Sequence, residues 1–310
     1  MPGTVLLGHP KYFRILQGAN PHTRDRWGRR KVVVPERAIE QWERFRHALE
    51  QLGVRVLVLP PSVPQPGSVF PANAGLMVGG VIYLSRPNPA RVGERTLYRP
   101  FLEQHGYRVA ELPGPPHQWE GEADTFPVGD PSGDPARTVY LFTRGRLERQ
   151  RWVGQWGWPP YRRLYGFRTD EAALPAIRQI VAPCEVMPLE LIDERYYHGD
   201  TCLCAFGPHR EYLLAYLPAL SPASRQQLTA RFGERLIPLD SVDAEAFAAN
   251  AYQVDTTPRP TLVITHRASA QLQETIRHRG VEVRLVNVDE FMTKGGGSVK
   301  CLLLHLGGGS

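Results

Sequence analysis

A recurring pattern runs along the chain: an amphipathic helical stretch, a terminating glycine, then a short apolar run. Its clearest copy spans Pro35 to Leu52. Ile39, Trp42, Phe45, Leu49 and Leu52 recur at helical spacing, Pro35 suits the first turn, and Gly53 precedes the apolar run Val54–Leu59. The same order returns at Glu94–His105, Gly106 and Tyr107–Val109, at Ala223–Phe232, Gly233 and Glu234–Ile237, and at Ser269–Arg279, Gly280 and Val281–Leu285. A fifth, less regular copy begins at Asp170 and runs to about Ile180, with Pro183 replacing the glycine before Cys184–Val186. Further apolar runs, Val81–Leu84, Thr138–Phe142, Glu211–Ala215 and Thr261–Ile264, fall between the copies. Five mixed strand–helix units predict a closed, repeated α/β architecture whose loops ring a central space. An open doubly wound sheet is the alternative. One segment, Arg144–Tyr165, breaks the rhythm; rich in arginine, tryptophan and proline, it reads as an insertion.

Composition narrows this only a little. The 310 residues are 42% hydrophobic and 22% charged, the balance of a folded water-soluble protein with a large core. Length alone allows two domains, but the recurrence favours one pseudo-symmetric domain over residues 1–306, with Gly307–Ser310 a flexible tail. No apolar run is long enough to span a bilayer, and the N-terminus lacks a basic signal-like segment. Four cysteines are too few for a disulfide scaffold, so a cytoplasmic setting is expected. A net charge of +6 permits nucleic-acid binding without requiring it.

Candidate chemistry sits in a few short segments. Gly295-Gly296-Gly297 precedes Cys301, expected on a strand Cys301–Leu306 whose alternation puts it on one face with Leu303 and His305. A buried strand cysteine is usually inert; the glycines favour close backbone approach to a ligand. Tyr197-His198-Gly199-Asp200 places an imidazole and a carboxylate two residues apart, which on an extended strand face one site and in a surface turn do not. His198, Asp200, Cys202 and Cys204 could alternatively ligate a metal, but Cys-x-Cys without a second pair is a weak signal. Glu120 and Asp124, beside Trp119, could grip a guanidinium or simply be solvated. Asn73, after Phe70, and Asn20 fit turns. Arg168 could bind a carboxylate or line the surface.

Taken together, Phe70-x-Ala-Asn73-Ala-Gly, Glu120-Gly-x-x-Asp124, Gly-Phe-Arg168, His198-x-Asp200-Thr and Gly-Gly-Gly-x-x-x-Cys301 resemble, in order, the guanidino-group-modifying enzymes. This family of the amidinotransferase superfamily includes arginine deiminase, dimethylarginine dimethylaminohydrolase and arginine dihydrolase. The likeness runs from Tyr12-Phe13 to Leu306. It implies a five-bladed pseudo-symmetric α/β propeller of ββαβ-type units and a hydrolase acting on a small guanidino substrate, without metal or organic cofactor. By the same resemblance Cys301 would be the nucleophile and His198 the acid and base. Glu120 and Asp200 would hold the guanidinium, Asp124 would support the acidic pocket, and Arg168 would take the substrate carboxylate. Asn73, Asn20 and Phe70 would complete the substrate-binding set. Gly67 stands where many members carry aspartate. Asn73, where deiminases tend to have aspartate, looks more like arginine dihydrolase. The resemblance implies an arginine-like substrate and a covalent amidino-thioether intermediate on Cys301, which an amidinotransferase using an amine acceptor would share. A silent binding protein, with the Arg/Trp insertion stacking on RNA, ranks last; the insertion could instead act as a lid or as the contact of a homo-oligomer.

Overall fold

The computed structural model of the protein describes residues 3–16, 20–158 and 160–308. Gly18 and Ala19, just before Asn20, Pro159 in the insertion and the tail's Gly309 and Ser310 lie outside the described residues. The fold is mixed α/β. Its sheets are small and repeat one plan: two antiparallel strands, a helix, and a third strand that pairs in parallel with the second. Gly75–Val78 and Val81–Leu84 are followed by helix Arg95–Gln104 and strand Arg108–Glu111. Thr125–Val128 and Val139–Arg144 are followed by helix Leu174–Val181 and strand Glu185–Glu190. Leu203–Phe206, Tyr212–Ala215, helix Pro222–Phe232 and Leu236–Pro238 form the next unit, and Tyr252–Val254, Thr261–Thr265, helix Ala270–His278 and Glu282–Val286 the one after. The remaining unit joins the two ends of the chain. Leu303–His305 pairs antiparallel with Thr4–Gly8, which pairs in parallel with Arg55–Leu59 beyond helix Pro35–Gln51.

The helices form where periodicity predicts them, and the ends follow local chemistry. Ser221 and Ser269 accept hydrogen bonds from the backbone of their first turns, and Gly53 adopts φ 80° to turn the chain out of the first helix. That helix packs Ala38, Trp42, Phe45 and Leu49 inward, whereas Ile39 is only half-buried. The buried stripe is thus rotated towards the small Ala38, which permits closer approach. Five hydrophobic clusters lie between sheets. One mixes Val5, Leu7 and Leu303 with Val254 and Val263; another joins Leu6 and Leu304 to Ile82 and Leu84. The others link the sheet of Gly75–Val78 to that of Thr125–Val128, the latter to that of Leu203–Phe206, and that in turn to the sheet of Tyr252–Val254.

The segment at Arg144–Tyr165 forms a two-stranded ribbon, Arg151–Gly154 against Tyr161–Leu164, outside the five three-stranded sheets. Trp152, Trp156 and Trp158 are exposed on it. Gly307, expected in a flexible tail, instead accepts a hydrogen bond from Thr4 N at 2.7 Å. Among the described residues, no helix is long and apolar enough to cross a membrane.

Candidate active site

The site is built from the short turns that lead into the first strand of each unit. Asn73 lies in Pro71–Ala74, Glu120 caps Gly121–Ala123, His198 caps Gly199–Thr201, and Cys301 lies in Lys300–Leu302. Each is a single 3₁₀ turn, which corrects the expectation for Cys301 and, for His198 and Asp200, favours the turn over the strand. Cys301 is not on the strand, which begins at Leu303, and His198 and Asp200 do not project from one extended strand. The reason is the same in both places: a tight turn rotates its side chains inward instead of alternating them across a sheet.

A cavity of about 380 Å³ opens between these turns, lined in part by Phe70, Asn73, Glu120, Arg168, His198 and Cys301. Cys301 is 3% exposed and His198 2%. The glycine run lets the thiol approach. Gly296, at φ 81°, ends helix Asp289–Gly295, and a Cβ on Gly297 would lie 3.0 Å from the Cys301 sulfur. Asn20 also reaches this run, donating to the Gly295 carbonyl at 2.8 Å and accepting from His22 N. Phe70 stands edge-on to Phe13 on the apolar wall.

His198 is held at both nitrogens. Nδ1 lies 2.9 Å from Asp124 Oδ2, and Nε2 lies 3.3 Å from Glu120 Oε2. Asp124 also accepts from Thr143 Oγ1, Thr169 Oγ1 and Gly199 N. It does not line the cavity but stands behind the histidine, so it orients the ring and does not reach a ligand directly. Burial alone would pull the histidine's pKa down; Asp124 and Glu120 outweigh it and hold the pKa at about 9. For Glu120, burial pushes upward, but the histidine's hydrogen bond and charge, with Arg91 and Arg168, lower it to about 2. Asn73 Nδ2 donates to Glu120 Oε2 at 3.0 Å and sits 3.1 Å from His198 Nε2. With the histidine doubly protonated, that second approach joins two donors. It becomes a hydrogen bond once Nε2 has lost its proton, so Asn73 stabilises the neutral, basic form.

On the other side, the Cys301 thiol is 3.4 Å from Asp200 Oδ2. Burial and the adjacent Asp200 push the thiol's pKa well up. Burial raises Asp200 to about 6 against the pull of His198 and Lys300. Asp200, like Asp124, is behind the wall; it lines a second cavity of about 220 Å³ with Lys300.

Three participants escaped the sequence reading. Asn250 is wholly buried; its Oδ1 accepts from Ser298 N at 2.9 Å and Cys301 N at 3.2 Å, and its Nδ2 donates to Cys301 Sγ at 3.3 Å and to the Asp200 carbonyl. A lone amide in the small apolar run Ala248–Ala251, two residues before a strand as Asn73 and Cys301 are, was the available signal. Arg91 and Glu94 also line the cavity, as a buried ion pair. Cys202 and Cys204, a weak metal-ligand signal in the sequence, hydrogen-bond backbone carbonyls. Among the described residues, no group of three or more His, Cys, Asp or Glu is arranged to hold a metal ion.

No family model matches the chain. Comparison with individual proteins is more informative. A bifunctional arginine dihydrolase/ornithine cyclodeaminase, ArgZ, of a Synechocystis species is 34% identical over 305 residues. The match covers 97% of this chain but 37% of that protein, and a Nostoc counterpart, AgrE, is covered over 33% of its length. The chain thus spans about a third of these two relatives. An N(G),N(G)-dimethylarginine dimethylaminohydrolase of Mycobacterium tuberculosis is 29% identical, with 96% of this chain and 83% of that one covered. Among solved structures, the N-terminal domain of ArgZ, as a cysteine-to-serine variant bound to substrate, superposes with a TM-score of 0.79 at 29% identity over 98% of both chains. An asparagine-to-serine variant of the same domain, covalently bonded to a reaction intermediate, gives a TM-score of 0.78. In sequence over nearly its whole length and in fold, the chain is homologous to arginine dihydrolase and dimethylarginine dimethylaminohydrolase, and it belongs with the guanidino-group-modifying enzymes.

Proposed function

We propose that this chain is a cysteine-dependent hydrolase of an arginine-like guanidino compound, acting through a covalent amidino-thioether on Cys301. One observation carries the reading: a buried thiol with its own acceptor and a doubly held imidazolium face one cavity. Binding a cation beside Glu120 lowers the cost of ionising the thiol, whose proton leaves by way of Asp200 on its far side. The thiolate attacks the guanidinium carbon. The C–N bond to the departing amine then breaks, and His198 supplies that amine's proton. The histidine, now neutral and held by Asn73 at Nε2 and Asp124 at Nδ1, takes a proton from water as the water attacks the thioether carbon. Cys301 departs as thiolate. Arg168, stacked over Tyr197 at 5.4 Å, is placed to receive a carboxylate at the substrate's other end.

Of the family's branches, arginine dihydrolase fits best. Asn73 contacts both Glu120 and His198, where it can steer a second hydrolysis that removes the carbon as carbon dioxide and leaves ornithine. Residues 1–306 would form one catalytic domain, its five units closed into a propeller by the clusters between neighbouring sheets. The free cysteines suit a reducing, cytoplasmic setting. Incubation with arginine and analysis of the products by mass spectrometry tests this. Ornithine and ammonia are expected, with citrulline increasing in Asn73→Asp; an unchanged product ratio would remove Asn73 from the account. No turnover of arginine or methylated arginines would overturn the function.

A further inference from the structure

One buried carboxylate in the reaction cavity has no part in the chemistry above. Glu94 closes the turn segment Pro89–Glu94 and lines the cavity together with Cys301 and Glu120. Its side chain is 7% exposed, and both its oxygens face Arg91. Nε of Arg91 donates to Oε1 at 3.0 Å and Nη2 to Oε2 at 2.7 Å. Nη2 also reaches the carbonyls of Gly67 at 3.2 Å and Phe70 at 3.0 Å, fixing the pair to the segment that carries Phe70. The remaining Nη1 lies 3.9 Å from Glu120 Oε2. Arg91 therefore spans two carboxylates: Glu120 beside His198, and Glu94 one guanidinium length further from it.

Gly67 makes this arrangement possible. A Cβ at that position would lie 2.5 Å from Glu94 Oε1, so the carboxylate occupies the space a side chain at 67 would need. A buried ion pair is a poor way to add stability, because apolar residues of similar volume often do as well. This pair also leaves chemistry unused. Each Glu94 oxygen retains a lone pair beyond its bond to Arg91. Burial pushes the Glu94 pKa up against the pull of Arg91, and the charge of Glu120 adds to that push, so a further cation beside it is favoured. Arg91, with Nε and Nη2 taken by Glu94 and two carbonyls, is better placed to hold Glu94 than to grip a carboxylate in two-pronged fashion.

We infer that Glu94 is a specificity-determining residue that binds an ammonium group at the outer end of the substrate, selecting amine-bearing guanidines over guanidino acids that lack an amine. This rests on the guanidine-hydrolase reading and extends it to the tail of the substrate. Calorimetric binding to the full chain carrying Cys301→Ser tests it without turnover, using arginine (amine and carboxylate), agmatine (amine only) and 4-guanidinobutyrate (carboxylate only). Adding Glu94→Gln should weaken arginine and agmatine by roughly 10-fold or more, the scale of one charge-assisted hydrogen bond, and leave 4-guanidinobutyrate nearly unchanged. Should the glutamine variant fail to fold, Gly67→Ala, whose Cβ displaces the Glu94 carboxylate, is expected to give the same selective loss. Equal weakening of all three ligands, or none, would overturn the role of Glu94 alone. Failure of all three to bind the Cys301→Ser protein would overturn the hydrolase reading, and this inference with it.

Discussion

His198 gains its proton affinity from folding, because Asp124 and Glu120 face it only in the assembled site. Its folded pKa of about 9 lies above the ordinary 6.5, so protonation favours the folded state. That contribution is complete below about pH 6.5 and is lost as pH rises through about 9. Urea unfolding across this window should give a steeper decline for the natural protein than for His198→Gln; parallel curves would count against the coupling. The kinetic counterpart is a bell. Ionisation of Asp200 near pH 6 and deprotonation of His198 near pH 9 should bound kcat/KM, which reports the free enzyme. Asn250 makes a separate prediction. Asn250→Asp keeps an acceptor for the Ser298 and Cys301 amides but loses the donor to sulfur. Alkylation of Cys301 at mildly basic pH should slow by roughly 10-fold, as loss of a hydrogen bond to a charged atom implies. An unchanged rate would reduce Asn250 to a backbone anchor. Cys301, His198 and Glu120 were legible because their side chains imply chemistry. Asn250, Arg91 and Glu94 were not, because an amide in an alanine run and an arginine three residues before a glutamate are common solvated patterns. Only the fold makes them buried.

Helices carried the readable part of the architecture. Pro35–Gln51 and Ala270–His278 are amphipathic over several turns, which gives periodicity enough residues to work on. Strands such as Tyr252–Val254 and Leu203–Phe206, three and four residues long, are too short to show alternation. The turns that hold the site are shorter still, and their placement depends on contacts between units. Gly121 illustrates this. It sits at φ 61°, and a Cβ there would lie 2.5 Å from the carbonyl oxygen of Gly75, the first residue of the strand that follows the neighbouring turn. Gly121→Ala should therefore cost at least about 1–2 kcal/mol from the left-handed backbone alone and displace the adjacent Glu120. Thermal unfolding should reveal a lowered midpoint together with lost activity. An active variant of unchanged stability would mean that the turn has room to relax.

Five units with five shared clusters explain how residues as distant in sequence as Asn73, Glu120, His198, Asn250 and Cys301 come together: each precedes the first strand of its unit. The recurrence of helix, glycine and strand anticipated this at the level of units, while the joining of Leu303–His305 to Thr4–Gly8 is a long-range pairing that no local pattern encodes. The proposed closed ring has a consequence of its own. Linking the ends near Gly3 and Gly307 and opening the chain within the exposed ribbon, around Gln155, should leave a folded protein with cooperative unfolding, because no sheet is cut. A circular permutant without structure would argue against closure. The central claim, however, is chemical: Cys301 forms a bond to the guanidinium carbon. Rapid acid quench after mixing with arginine, followed by peptide mass analysis, addresses it directly. An amidino-type adduct on the Cys301 peptide that appears and decays with turnover, and is absent in Cys301→Ser, is the predicted result. Turnover without any such adduct, or turnover that survives Cys301→Ser, would contradict it.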